Sequence, residues 1–243
     1  MTSLGELQNA LGDRLAVDTE TIDAYSRDTS RAPLLGTAIG VVRAETTADV
    51  SAALAWANAH GIRVSVRGAG TGLAGGANAY AGGLIISLER MRRIISIDAA
   101  NRLAIVEPGV ITAELDTAAR AHGLFFPPDP ASARISTIGG NIATNAGGLR
   151  CVAHGVTTDA VAGLEAVLAD GRIMRTWPVP AAVRIYRRIT GRGSGLVLDH
   201  RCRSRPRLGQ FHPHNGAEIP TVRNRAAGRW PQPFGRFGAG APS

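Results

Sequence analysis

The sequence predicts an α+β fold, and three observations predict it. Residues 40–66 read as strand, helix, strand; two runs at Arg93–Ile97 and Leu103–Glu107 lie close enough to pair as antiparallel neighbours; and Asp170-Gly171 stands between apolar runs as a hairpin turn. Taken in order, Val41, Val42 and Arg43 form a short apolar run, and Thr46 or Thr47 caps a helix with Asp49 in its first turn. Val50, Leu54 and Ala57 repeat at helical spacing until Gly61 supplies the stop, and Ile62–Val66 then alternates as a strand. After glycine-rich residues 68–83 comes a strand at Leu84–Leu88. A second helix spans Thr112–His122, with Glu114 and Asp116 against its N-terminal dipole and Gly123 as its stop. Gly163–Ala169 and Arg172–Thr176 flank the hairpin turn.

The 243 residues are 44% hydrophobic and 19% charged, enough for a sizeable core in one or two domains. No apolar run approaches the roughly 18 residues of a membrane span, and Met1–Arg14 carries Glu6 and Asp13 with no apolar signal core, so a non-exported, cytoplasmic protein is expected. Cys151 and Cys202 make neither a disulfide framework nor a zinc site, and no metal is expected. The net charge of +8 is unevenly spread: residues 1–176 hold 15 Arg and 17 acids, residues 177–243 hold 12 Arg and 2 acids. That last segment also carries 8 of the 13 prolines and only 13 Leu, Ile, Val or Phe, so it reads as a disordered basic tail with a boundary near Trp177.

Two glycine-rich loops stand out. Arg67-Gly68-Ala69-Gly70-Thr71-Gly72-Leu73-Ala74-Gly75-Gly76 follows a strand, and its Gly70–Gly75 satisfies the GxGxxG pattern, but no helical period opens at the third glycine, so a Rossmann site is excluded. Small residues let successive N–H groups converge into a concave anion nest; the alternative is a flexible surface loop. The second runs from Pro127-Pro128-Asp129-Pro130 through Ser136 and Thr137 to Gly148. Ser136 or Thr137 can cap a short turn exposing the N–H groups of Gly139 and Gly140, and Ala143 leaves room for a flat ring. Asn141 and Asn145 can donate to ring carbonyls, or tolerate left-handed turns; Asp129, between prolines, has a turn explanation of its own.

These two segments, with Gly163–Gly171, resemble the FAD-binding domain of the FAD-linked oxidases, the vanillyl-alcohol oxidase and p-cresol methylhydroxylase type, in its glycolate oxidase and D-lactate dehydrogenase branch. The resemblance covers about residues 5–176. It implies a two-subdomain domain, about residues 1–100 and 101–176, with FAD between them. Arg67 joins the implied cofactor-binding residues, and Gly68, Ala69, Gly70, Thr71, Gly72 and Leu73 are implied to hold the pyrophosphate through backbone groups. Pro128, Asp129, Thr137, Gly139, Gly140, Asn141, Ala143 and Gly147 are implied to line the flavin and ribityl side. Where relatives commonly show Lys-Tyr-Gly, this chain has Ala153-His154-Gly155, which makes His154 either a flavin neighbour or a structural histidine.

The resemblance stops near Thr176, where relatives continue into a segment that closes the FAD site and then a substrate-binding cap. The expectation is a chain truncated or frame-shifted after about residue 176. The absence of lysine suits a GC-rich gene, and Asp199–Ser204 is compatible with codons that, read one base later, give a strand like the missing one.

Three functional readings follow. The first is an FAD-dependent oxidoreductase oxidising a small 2-hydroxy acid by hydride transfer to flavin; its substrate-binding Arg and His are implied to lie in the cap, so no catalytic residue is named, and activity of this chain is expected to be impaired. The second is a cap-less FAD-binding accessory subunit working beside flavoprotein and iron–sulfur partners. The third takes the tail as a nucleic-acid-binding arm, with Arg201, Arg203, Arg205 and Arg207 alternating and Trp230, Phe234 and Phe237 interleaved with Arg229 and Arg236; a solvated tail explains the same residues more cheaply, and no nucleic-acid partner is expected.

Overall fold

The computed structural model describes residues 3–30, 32–33, 36–176, 182–184 and 186–187, all within the unit Met1–Gly195. The chain opens with α1 (Ser3–Leu11), a 3-10 turn, β1 (Leu15–Ala16) and α2 (Thr19–Tyr25). The strand–helix–strand unit is β2 (Gly40–Arg43), α3 (Thr47–Ala59) and β3 (Val64–Arg67). Thr46 starts α3 through a capping box: its hydroxyl accepts from the Asp49 N–H at 3.2 Å while the Asp49 carboxylate accepts from the Thr46 N–H at 3.0 Å. Asp49 also pairs with Arg14 at 2.6 Å, tying the helix start to the chain entry. Gly61, at φ +63, ends the segment in a backbone region that L residues rarely adopt.

The strands of that unit are not neighbours. β4 (Leu84–Ser87) lies between them, parallel to both, and β1 completes the order β1-β2-β4-β3. Its run Leu84, Ile85, Ile86 is fully buried because the sheet is covered on both faces, which is why it shows no alternation. Leu84 and Ile86 pack with Val42, Ala53 and Trp56, while Ile85 packs on the other face with Ile22, Ala38 and Val41.

The second sheet begins with the expected antiparallel pair β5 (Ile94–Asp98) and β6 (Leu103–Val106). Then come α4 (Thr112–Arg120), β7 (Leu124–Phe125), α5 (Ile138–Thr144), α6 (Cys151–His154), α7 (Thr157–Ala160) and β8 (Val161–Gly163). Val106, Leu115, Phe126 and Ile138 centre its core. The hairpin β9 (Glu165–Val167) and β10 (Ile173–Arg175) turns at Asp170-Gly171 and reaches back to α3: the Thr47 hydroxyl donates to Glu165 at 2.7 Å and the Ser51 hydroxyl to the Gly171 carbonyl at 2.6 Å.

The sheet continues beyond Thr176, which corrects the expected boundary. β11 (Ala182–Arg184) enters between β6 and β8, and β12 (Tyr186–Arg187) pairs with β7. Val183 is 1% exposed in the second core. Three residues are too few to register as periodicity, so composition hid the strand. The remaining basic segment, including Arg201–Arg207 and the aromatics near the end, lies outside the described residues. No helix among the described residues is long and apolar enough to cross a membrane.

Candidate functional site

β3 delivers its last residue, Arg67, and the chain enters the first glycine-rich loop. Carbonyls and neighbouring side chains hold that loop. The Gly70 carbonyl accepts from the Thr29 N–H at 3.0 Å and its hydroxyl at 3.2 Å, and the Gly75 carbonyl accepts from the Asn78 N–H at 3.1 Å. Asn78 is buried and accepts from the Asp28 N–H at 2.8 Å, while Asp28 accepts from the Ser30 N–H at 2.8 Å. Gly70 sits at φ +69 and Gly75 at φ +78. None of the N–H groups from Gly68 to Ala74 has a protein acceptor among the described residues. The segment is thus a row of free donors held through its carbonyls, as an anion nest requires.

Arg67 forms the floor. It is 9% exposed, and its Nη1 donates to the Tyr25 carbonyl at 2.6 Å and the Arg27 carbonyl at 2.9 Å. Its Nε is buried without a hydrogen-bond partner among the described residues, as is Oδ2 of Asp28. Burial lowers the Arg67 pKa, against the charge of Glu89. Asp28 is held below the ordinary carboxylate value: burial works upward, and the hydrogen bonds from Ser30, with those from the Ala77 and Gly75 N–H groups, outweigh it.

The second loop behaves differently. Thr137 caps α5, its hydroxyl accepting from the Gly140 N–H at 3.1 Å. The Ile138 N–H goes to the Val110 carbonyl and the Gly139 N–H to the Pro108 carbonyl, both at 2.8 Å. The expectation that Gly139 and Gly140 offer free N–H groups is therefore corrected: both are already used inside the fold. Gly139 is instead a packing residue, since a β-carbon there would lie 2.7 Å from that of Pro108.

Asn141 is 2% exposed, and its amide nitrogen donates to the Thr112 hydroxyl at 2.7 Å; that hydroxyl in turn faces the Ser136 carbonyl at 3.0 Å. Asn141 fixes the helix from inside rather than offering that donor to a ring. Asn145 takes the left-handed alternative, at φ +47, with its carbonyl oxygen accepting from the Thr158 N–H at 2.9 Å and its hydroxyl at 2.7 Å. Asp129 pairs with Arg150 at 3.1 Å and accepts from its N–H at 3.0 Å. Pro128 is buried, Ala143 and Gly147 are exposed, and half-buried His154 stands edge-on to Phe125 at 5.2 Å.

The two loops meet at one point. A β-carbon on Gly68 would come within 2.1 Å of the Thr137 hydroxyl oxygen, so only glycine lets β3 end against the α5 cap. Thr71, Gly72 and Leu73 extend the first loop outward, with Leu73 79% exposed. Asp28, Thr29, Asn78 and Thr112 were missed as site supports. Asp28-Thr29-Ser30 is the one readable signal, an Asp bonding to the N–H two residues on.

Residues 38–176 match the family model described as FAD binding domain. The chain belongs to that family. The chain is 47% identical over 136 residues to glycolate oxidase subunit GlcD of Bacillus subtilis, covering 56% of this chain and 29% of that protein. It is 46% identical over 155 residues to D-lactate dehydrogenase of Archaeoglobus fulgidus, covering 63% and 34% respectively. Among solved structures it resembles p-cresol methylhydroxylase, with a TM-score of 0.64 at 23% identity over 72% of this chain and 34% of that one. It also resembles 6-hydroxy-D-nicotine oxidase from Arthrobacter nicotinovorans, with a TM-score of 0.63 at 22% identity over 73% and 43%. These share the fold. The chain spans about a third of the length of the curated relatives it matches.

Proposed function

We propose that this chain is the FAD-binding part of a cytoplasmic oxidoreductase acting on small 2-hydroxy acids. The observation that carries the reading is the first loop, a fixed row of free N–H groups over a buried cation, set against the capped start of α5. Gly68–Leu73 take the pyrophosphate. Pro128, Asp129, Ala143, Gly147 and His154 line the ring and ribityl side, while Thr137, Gly139, Gly140 and Asn141 shape that surface through the internal bonds described above. The two subdomains, about 1–100 and from about 101 through β11 and β12, hold FAD between them. Bound FAD supplies the hydride acceptor for oxidising a carbon that bears a hydroxyl. The relatives' names, glycolate oxidase and D-lactate dehydrogenase, support the substrate class.

A second reading has one observation in its favour: a relative is a subunit of glycolate oxidase, which suits an accessory FAD-binding chain with flavoprotein or iron–sulfur partners. Purified full-length chain, titrated with FAD and then mixed anaerobically with glycolate or D-lactate, tests both. Binding with bleaching supports an oxidoreductase acting alone, and binding without bleaching supports the accessory reading. No binding overturns the first proposal and the second together.

A further inference from the structure

Arg67 differs from the arginines that form ion pairs. Those in ion pairs have side chains at least 31% exposed, and each has a carboxylate within 4.0 Å, from Arg14 with Asp49 to Arg175 with Glu165. Arg67 is 9% exposed, and no described carboxylate pairs with it. Glu89 accepts the Tyr25 hydroxyl, and Asp28 bonds to Ser30. Two main-chain carbonyls and the Tyr25 ring, 5.4 Å away, are what the guanidinium touches.

A buried cation held by dipoles, on which Glu89 and Asp28 act without a direct ion pair, is a costly arrangement, and it becomes more favourable when an anion arrives. The geometry says where. Nη2 lies so close under Gly70 that a β-carbon there would come within 2.1 Å of it, and Gly70 is in the middle of the free N–H row. The fork is fixed at Nη1 by carbonyls from residues 25 and 27, on the segment whose Thr29 holds the Gly70 carbonyl.

We propose that Arg67 is the buried counter-charge of the pyrophosphate, positioned beneath the loop so that one dianion is met by backbone donors above and a fixed cation below. The inference rests on the FAD reading and deepens it. It makes Arg67 a positioning residue that selects ligands by phosphate charge, distinct from the flavin-lining residues, which it leaves untouched.

The test compares FAD with riboflavin, which lacks the pyrophosphate, on the full chain and on Arg67→Met and Arg67→Lys, with inorganic pyrophosphate as competitor. Wild-type chain should prefer FAD strongly, and pyrophosphate should displace it. Arg67→Met should weaken FAD by about a hundredfold while riboflavin affinity changes by less than about threefold, and Arg67→Lys, which keeps charge but not the fork, should fall between. Equal loss for both ligands, or no loss, overturns the proposal. Should Arg67→Met fail to fold, the Lys variant decides: a retained preference for FAD supports the counter-charge, and a preference as weak as that of a neutral site overturns it. Wild-type chain that binds neither ligand fails the FAD reading itself, a result separate from failure of Arg67 alone.

Discussion

Gly68–Gly76 and Gly139–Gly148 are alike in composition, yet the first leaves the N–H groups of Gly68 to Ala74 free among the described residues and the second spends those of Gly139 and Gly140 inside the fold. In the first loop, glycine supplies left-handed backbone, as at Gly70 and Gly75. In the second it supplies closeness: Gly139 against Pro108, and Gly148 where a β-carbon would lie 2.0 Å from the Asp129 carbonyl oxygen. Glycine density alone does not identify an anion site. What separates the two is where the backbone hydrogen bonds go.

The contrast is broken most sharply by one substitution in each loop. Gly70→Val forces a branched side chain into φ +69 and onto the Arg67 guanidinium. FAD affinity should drop by about a hundredfold or more in titrations, with far-ultraviolet circular dichroism little changed. Gly148→Ala should do the reverse, lowering stability by about 2–3 kcal/mol in urea melts while the folded fraction binds FAD within a few-fold of wild type. If both variants lose binding and stability in parallel, the two loops are one structural unit and the division fails.

Thr112→Val sharpens the second-loop half. The hydroxyl accepts from Asn141 and faces Ser136, all three buried, so its removal strands the Asn141 amide. A loss of about 1–3 kcal/mol is expected in the same melts. Thr112→Ser, which keeps the hydroxyl, should recover most of it.

Sequence reading recovered what is local. The Thr46 and Asp49 capping box, the β5–β6 pair and the Asp170-Gly171 turn each involve residues a few positions apart, and each stands where expected. The α+β class followed from them, and the resemblance led to the FAD-binding family. Non-local facts were invisible. Nothing in Leu84–Ser87 says that it slips between β2 and β3, because a fully buried strand carries no face preference. Asp28 and Asn78 support the first loop from 50 residues apart, and Asn141 meets Thr112 across 29. The free or spent state of each loop's N–H groups depends on those partners, so the motif located both loops and could not tell them apart.

The smallest expected effect concerns how the two halves are joined at the hairpin. Glu165 accepts from the Thr47 hydroxyl at 2.7 Å and pairs with Arg175 at 2.7 Å, its side chain 15% exposed. The Thr47 bond lowers its pKa, burial opposes, and Arg175 adds to the lowering. A carboxylate whose folded pKa lies below its unfolded one stabilises the fold fully above the unfolded value, and that contribution fades as pH falls through it toward the folded value. Wild-type stability should therefore decline below about pH 4.5, the ordinary glutamate range. Glu165→Gln should cost a few tenths to about 1 kcal/mol at neutral pH and flatten that acidic decline, since the neutral side chain has no proton to take up. Urea melts of both proteins at about pH 7 and about pH 3.5 measure the difference. Converging stabilities at the lower pH support an electrostatic tie between hairpin and α3. A constant gap assigns the tie to the Ser51 bond to Gly171 and to Val167, which packs against the first core.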